Sequence, residues 1–262
     1  MNIYLHELKA NRKFALTWLL IILVFVGIMI SMYISISTDM DIFKKVLSNY
    51  PDSLRNALGI NIDLLDTALG YYSSFIITIM LVCSAIEAMI LGVSILSKEI
   101  REKTADFLYS KPVSRSQIIT SKILASFTLL IASNIIYTVC LFFALSAVTT
   151  TNFDLGTFTL IALIPLFIQL IFFSLGLFVS AIMSKIKAVL PISMGIVFSF
   201  YILSAFADEK LRMLIPFKYF DTKYILNNST YELKYVIVTF AIIAISTILT
   251  YMIYQKKDIH SV

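Results

Sequence analysis

Six long runs of apolar residues dominate the pattern of the chain, and shorter segments between them carry nearly all of the charged side chains. Each run is 20 to 27 residues long, the length that an α-helix needs to cross the hydrocarbon core of a bilayer. The runs are continuous, whereas the strands of a membrane barrel alternate with a period of two. The predicted spans are Ala15–Ser35, Tyr71–Leu96, Ile123–Val148, Thr157–Met183, Ala188–Ala207 and Tyr235–Tyr254.

The composition agrees with this pattern. Hydrophobic residues make up 59% of the chain and charged residues 14%, against roughly 25% charged residues in soluble domains. There are only two cysteines, Cys83 and Cys140, which excludes a secreted disulfide scaffold. The net charge of +5 flanks apolar spans, so it suits lipid headgroups rather than nucleic acid. We expect an all-α integral membrane protein with one transmembrane domain over residues 1–262 and membrane lipids as its surroundings.

The distribution of positive charge predicts the orientation in the membrane. Of the 21 Lys and Arg residues, 13 lie before span 1, after spans 2 and 4, or after span 6, and eight lie in the other connections. Because cytoplasmic segments carry the excess of Lys and Arg, both termini are predicted to be cytoplasmic.

Polar segments with helical periodicity flank the first span. Residues 1–14 place Tyr4, Leu5 and Leu8 at helical spacing beside basic residues, which predicts a short helix in the inner interface. A frayed basic tail is the alternative.

Residues 38–70 are acidic and contain apolar faces of short helices, which would lie on the outer membrane surface or cap the outer mouth. A linker is the alternative there.

The connection between spans 2 and 3 is the most informative segment. Read as a helix over residues 98–110, it has an aliphatic and aromatic stripe on one face and charged residues on the rest. Pro112 ends the helix. Such a helix suits docking into a groove of another protein, and a solvated connector is the alternative. The stripe consists of Ile100, Thr104, Phe107 and Leu108.

The same segment, SKEIREKTADFLYSKPVSRSQIITSK, resembles the signature of type-2 ABC transporter permeases. In that family the stretch after the second span forms a cytoplasmic coupling helix that docks on an ATPase. Lys103 stands where a glycine is common, and Phe107-Leu108 replaces the more typical Leu-Leu. The docking residues that the resemblance implies are Glu99, Arg101, Glu102, Thr104, Phe107, Leu108, Pro112 and Arg115.

The resemblance also implies how the protein works. Two permease subunits, as a homodimer rather than a heterodimer, would each be bound by an ATP-binding cassette ATPase, and spans 1, 2 and 5 would line the pore or the dimer seam. ATP and Mg²⁺ would lie on the ATPase, so this chain would be no enzyme and would hold no cofactor; it contains no G-x-x-x-x-G-K-[ST] motif. The implied function is export from a bacterial cell. A pore lined by the abundant apolar and aromatic residues would suit an amphipathic or antimicrobial peptide as the cargo. A drug, a lipid or sodium are alternative cargoes.

Glu87 is the only charged residue inside the predicted spans. A carboxylate that faces lipid costs roughly 2.5–3.5 kcal/mol or more, so we expect Glu87 to face a pore or a partner subunit, or to be protonated. It is a candidate substrate-facing or gating acid, or a hydrogen-bond partner of Ser84, Ser94 or a hydroxyl on another span. A secondary transporter coupled to ions or protons is the alternative function that Glu87 would serve.

A membrane enzyme is disfavoured because His6 and His260, the only histidines, lie in the terminal segments.

Overall fold

The computed structural model describes residues 3–51, 54–55, 60–102, 113–149, 153–183, 186, 188–206 and 209–256. All regular secondary structure in these ranges is helical, and six segments are long and apolar enough to cross a membrane. The predicted all-α membrane fold with six spans is therefore confirmed. The α-helices are α1 (Ile3–Ser37), α2 (Met40–Ser48), α3 (Ala68–Tyr71), α4 (Ile77–Arg101), α5 (Arg115–Val148), α6 (Leu155–Ile182), α7 (Val189–Phe206), α8 (Thr222–Asn228) and α9 (Leu233–Lys256).

Helices α3 and α4 form one span, because the π-helical turn Tyr72–Ile76 joins them directly. Short 3₁₀ turns at Ile62–Leu64, Glu209–Leu214 and Pro216–Lys218 lie in the two long connections. We call the end of the bundle that carries these connections the loop face. The opposite end, where α1 begins and α9 ends, is the terminal face.

The N-terminal segment differs from the expected arrangement. Residues 3–14 are helical, as predicted, but they continue without a break into the first span as part of the 35-residue helix α1. At 1.5 Å per residue α1 is about 52 Å long, well above the ~30 Å hydrocarbon core. The prediction of a separate interfacial helix is thus corrected. The side chains change from polar to apolar near Ala15, but the helical backbone continues through that point without a break.

Helices α4 and α6 form the centre of the bundle, and two glycines bring their backbones into contact. A Cβ atom on Gly176 would lie 2.9 Å from the carbonyl oxygen of Met89, and one on Gly92 would overlap the carbonyl oxygen of Phe173. Gly92 and Gly176 therefore allow an approach that any larger residue would prevent, as at small-residue interfaces in membranes generally.

The other spanning helices pack around this centre. Helix α7 lies against α4, and α9 lies against α6, while α1 runs along α5 as a second pair. The α1–α5 pair contacts the α4–α6 centre less extensively than the two helices within either pair contact each other. We call this boundary the seam.

The glycine contact generates a stability prediction. We expect Gly92→Ala to lower the thermal unfolding temperature of the purified protein in detergent, because overpacking against backbone costs about 1–3 kcal/mol. Gly195→Ala on α7 is the matched control, since a Cβ atom there meets nothing within 4 Å. Equal unfolding temperatures for the two variants would contradict the close α4–α6 contact.

Candidate functional site

The predicted docking segment joins the end of α4 to the start of α5 at the terminal face. Its first residues, up to Arg101, are the last turn of α4 rather than a new helix. Arg101 and Glu102 are exposed there, and Arg101 Nη2 lies 3.5 Å from Ser94 Oγ. Thr104, Phe107, Leu108 and Pro112 fall in residues 103–112, outside the described residues.

A capping box fixes the point at which this segment enters α5. The Ser114 hydroxyl accepts from the backbone N–H of Gln117 at 3.2 Å, and the Gln117 side chain accepts from the Ser114 N–H at 3.1 Å. The arrangement satisfies two N–H groups that would otherwise lack partners. It sets the direction in which the chain leaves the segment.

Arg115 follows the cap and connects α5 to the end of α9. Its Nη1 donates to the carbonyl oxygen of Gln255 at 3.2 Å, and Gln255 Nε2 donates to Ser116 Oγ at 3.0 Å. A cation at a helix C-terminus is favourable because unsatisfied carbonyl groups concentrate negative charge there. Arg115, predicted for docking, thus also fixes the terminal face of the bundle.

Glu99, another predicted docking residue, points into the protein. Its Oε1 accepts from the ammonium group of Lys122, which also donates to the carbonyl oxygen of Ile95 at 2.7 Å. Glu7 Oε1 lies 3.4 Å from the same ammonium group. The side chain of Lys122 is 0% exposed, that of Glu7 5% and that of Glu99 13%. We call Glu7, Glu99 and Lys122 the Lys122 triad.

The triad joins three helices, since Glu7 lies on α1, Glu99 on α4 and Lys122 on α5. A buried ion pair contributes little net stability, but the loss of one partner from a buried pair costs roughly 3–5 kcal/mol. The triad therefore holds both ends of the predicted docking segment in a defined position. Sequence reasoning missed it because Lys122 was counted among the residues that flank span 3. The available signal was its helical spacing with the apolar residues Ile118 and Ile119, which are buried on the same side of α5.

Glu87 lies deep in the bundle and is 1% exposed. Its Oε2 accepts from Gln169 Nε2 on α6 at 2.9 Å. Gln169 Oε1 accepts from Asn134 Nδ2 on α5, and Asn134 Oδ1 accepts from the hydroxyl of Tyr137. We call these four residues the Glu87 network.

The Glu87 network answers part of the question that the sequence left open. Neither Ser84 nor Ser94 is the partner of Glu87, and the described residues surround its carboxyl group with helices of the same chain. Glu87 therefore does not face an open pore in this structure. The Ser84 hydroxyl is buried without a hydrogen-bond partner among the described residues.

The network also contains a signal that sequence reasoning overlooked. Asn134 and Gln169 are the only side-chain amides in the six predicted spans, and Glu87 is the only charge. Because hydrocarbon offers no hydrogen bonds, such groups are expected to find one another across helices. All three do so in the structure.

A cavity of about 670 Å³ opens at the loop face, between the start of α4 and the connection that precedes α8. Its wall combines charges of both signs with aromatic rings. Arg212 is held in this wall by Glu232 at 2.5 Å and lies over the ring of Tyr235. The charged and aromatic lining residues are Arg55, Asp63, Arg212, Phe217, Lys218, Phe220, Asp221 and Lys223.

The Glu87 network generates a second stability prediction. Gln169→Leu should lower the unfolding temperature in detergent more than Glu87→Gln does. The first variant leaves a buried carboxyl group without its donor, at about 1–3 kcal/mol, whereas the second keeps an oxygen acceptor for Gln169. A smaller effect of Gln169→Leu than of Glu87→Gln would show that the network does not bind the three helices together.

The chain is similar to a known family of membrane proteins over nearly its whole length. A family model described as ABC-2 family transporter protein matches residues 1–259, which include all six spans, the Lys122 triad and the Glu87 network. No curated protein matches the chain.

Proposed function

Because the chain belongs to the ABC-2 transporter family, we propose that it is the permease subunit of an ATP-driven exporter in a bacterial cell membrane. Members of this family are membrane components of transport systems that in general work with an ATP-binding subunit. The match over residues 1–259 of a chain with six spanning helices carries the proposal. The whole chain then acts as one permease domain.

The ATPase docks on the segment between α4 and α5. Support comes from the exposed positions of Arg101 and Glu102 and from the cap at Ser114, which together place the two ends of the segment at the terminal face. The apolar stripe that includes Phe107 would fill the groove of the ATPase. This face carries the excess of Lys and Arg, so it is the cytoplasmic face. ATP and Mg²⁺ bind to the ATPase, one copy for each permease subunit.

A second copy of this chain completes the transporter. The spanning windows of α1, α7 and α9 are all apolar and largely unburied, and of these the family resemblance favours α1 and α7, which are spans 1 and 5. Helix α4 buries most of its surface against α6 and α7, which leaves little of span 2 for the interface with a second subunit. Of the spans 1, 2 and 5 that the resemblance implies, we therefore assign only α1 and α7 to the interface between the two subunits. Exposed apolar side chains on the two helices include Leu20, Val24 and Ile28 on α1 and Phe198 and Ile202 on α7.

The cargo we propose is an amphipathic peptide. The loop-face cavity supports it, since basic, acidic and aromatic side chains lie together on its wall and a peptide of mixed character offers partners for each. Drugs, lipids and sodium are the competing cargoes. An ion-coupled carrier is the weaker alternative. Glu87 is buried among helices of the same chain and is hydrogen-bonded to Gln169, so its carboxyl group is not open to an ion or a proton from a pore.

Co-purification tests the proposed function. We expect the chain, extracted in mild detergent, to carry with it a cassette ATPase from the same organism when the two are expressed together. Phe107→Asp should weaken the complex more than tenfold, because a charge in the centre of an apolar interface costs upwards of ~2 kcal/mol. Lys45→Glu on α2, at the loop face, is the control and should leave the complex intact.

Two results would contradict this function. The first is a chain that purifies alone with every cassette ATPase of its source. The second is equal binding by Phe107→Asp and Lys45→Glu, which would place the ATPase elsewhere on the protein.

Cargo is tested separately, in the assembled complex in lipid nanodiscs. Amphipathic peptides are expected to raise the rate of ATP hydrolysis several-fold, since transported cargo favours the conformational change that hydrolysis drives. Stimulation by drugs, lipids or sodium but not by peptides would reject the peptide cargo and leave the permease assignment standing.

A further inference from the structure

The segment 103–112 is attached to both sides of the seam. It leaves α4, which belongs to the central α4–α6 contact, and it enters α5, which belongs to the α1–α5 pair. A force applied to the segment therefore acts on two groups of helices at once. Whether they move together depends on what holds them at this point.

The Lys122 triad lies where the two groups meet. Glu99 is on the α4 side of the seam, whereas Lys122 and Glu7 are both on the α1–α5 side. Within the α1–α5 pair, further contacts follow the helices, including a 3.0 Å hydrogen bond between Tyr4 and Thr128. The contact of Lys122 with Glu99 crosses the seam, and the contact with Glu7 does not.

The charges of the triad are unequal, with two carboxylates against one ammonium group, nearly all of it buried. Buried carboxylates are expensive without partners. Glu7 is further held by Asn11 Nδ2, which donates to its Oε2 at 3.2 Å. Lys122 also donates to Ile95 on α4, so two of its three contacts reach across the seam.

We propose that Glu99 is a positioning residue that latches the end of α4 to the α1–α5 pair through Lys122. When the ATPase displaces residues 103–112, the latch makes the end of α4 and the start of α1 move as one body. This inference rests on the proposed function, because the displacement comes from the ATPase. It assigns to Glu99 the transmission of movement rather than contact with the partner.

The triad itself offers a matched pair of variants. Glu99→Met and Glu7→Met each remove one carboxylate and leave Lys122 with one, so neither variant leaves an uncompensated lysine. Methionine is close to glutamate in length and fits apolar surroundings. Only Glu99→Met removes the ion pair across the seam, where the single hydrogen bond from Lys122 to the carbonyl oxygen of Ile95 remains. The conservative variant Glu99→Gln keeps an oxygen acceptor for Lys122 and so keeps the link across the seam.

Distances between spin labels in the isolated complex with the ATPase test the latch. In a background with Cys83→Ser and Cys140→Ser, labels replace Lys9 and Lys98 across the seam, and Lys9 and Asn228 along the bundle. These three positions are at the surface or half-buried. Each pair is measured in nanodiscs, without nucleotide and with ADP and vanadate trapped after ATP hydrolysis.

In the wild type we expect ATP to change the 9–228 distance and to leave the 9–98 distance unchanged. Glu99→Met should shift or broaden the 9–98 distribution on ATP binding, while Glu7→Met and Glu99→Gln should behave like the wild type. Should Glu99→Met fail to assemble, Glu99→Gln still decides, since a shifted 9–98 distance in it would overturn the latch.

Three results would overturn the latch alone: equal responses of Glu99→Met and Glu7→Met, a change of the 9–98 distance in the wild type, or no change of the 9–228 distance there. A wild-type chain that binds no cassette ATPase would instead overturn the proposed function, and the latch with it.

Discussion

Hydrocarbon supplies no hydrogen bonds, and this constraint explains where the polar side chains of the bundle lie. Inside a bilayer each polar group must find its partner in the protein. Glu87, Asn134 and Gln169 come from three different spans and are joined by hydrogen bonds through Gln169. Because each polar group requires a hydrogen-bond partner, these bonds fix the positions of the three helices relative to one another. The Lys122 triad applies the same rule near the terminal face with full charges. These polar contacts tie together helices whose apolar surfaces alone would allow many arrangements.

The α4–α6 contact gives the bundle its centre, and the polar contacts attach the rest to it. Gly92 and Gly176 let the two backbones touch, which fixes that pair by shape. The α1–α5 pair contacts this centre less extensively, and Glu99, Lys122 and Gln169 contribute bonds across the boundary. A boundary held by a few specific bonds can rearrange in discrete steps, which a fully interdigitated apolar interface resists. Because the Lys122 triad latches this boundary at the terminal face, we expect any such rearrangement away from that end of the bundle.

The sequence predicted the six spans because a run of apolar residues has few alternatives in a bilayer, and the end of span 3 at Val148 agrees with the structure. The start of α5 was missed, and the unbroken continuation of the N-terminal helix into span 1 was not predicted. Residues 115–122 form turns with one apolar side, and a count of hydrophobic residues does not see a helix whose other side is polar. That omission placed Lys122 in a connection and hid its pairing with Glu99. Glu87 was found from its charge alone, whereas its partner Gln169 required knowing that α4 and α6 are neighbours.

The proposed permease mechanism requires a cassette ATPase that acts at the terminal face of this chain, and cross-linking in intact cells tests this most directly. A photoreactive amino acid in place of Glu102, which is exposed at the end of the docking segment, should form a covalent product with a cassette ATPase. The same group in place of Asn228 on α8, at the loop face, should form none. A product from position 228 but not from position 102 would contradict both the docking site and the orientation. No product with such an ATPase from either position would contradict the permease mechanism itself.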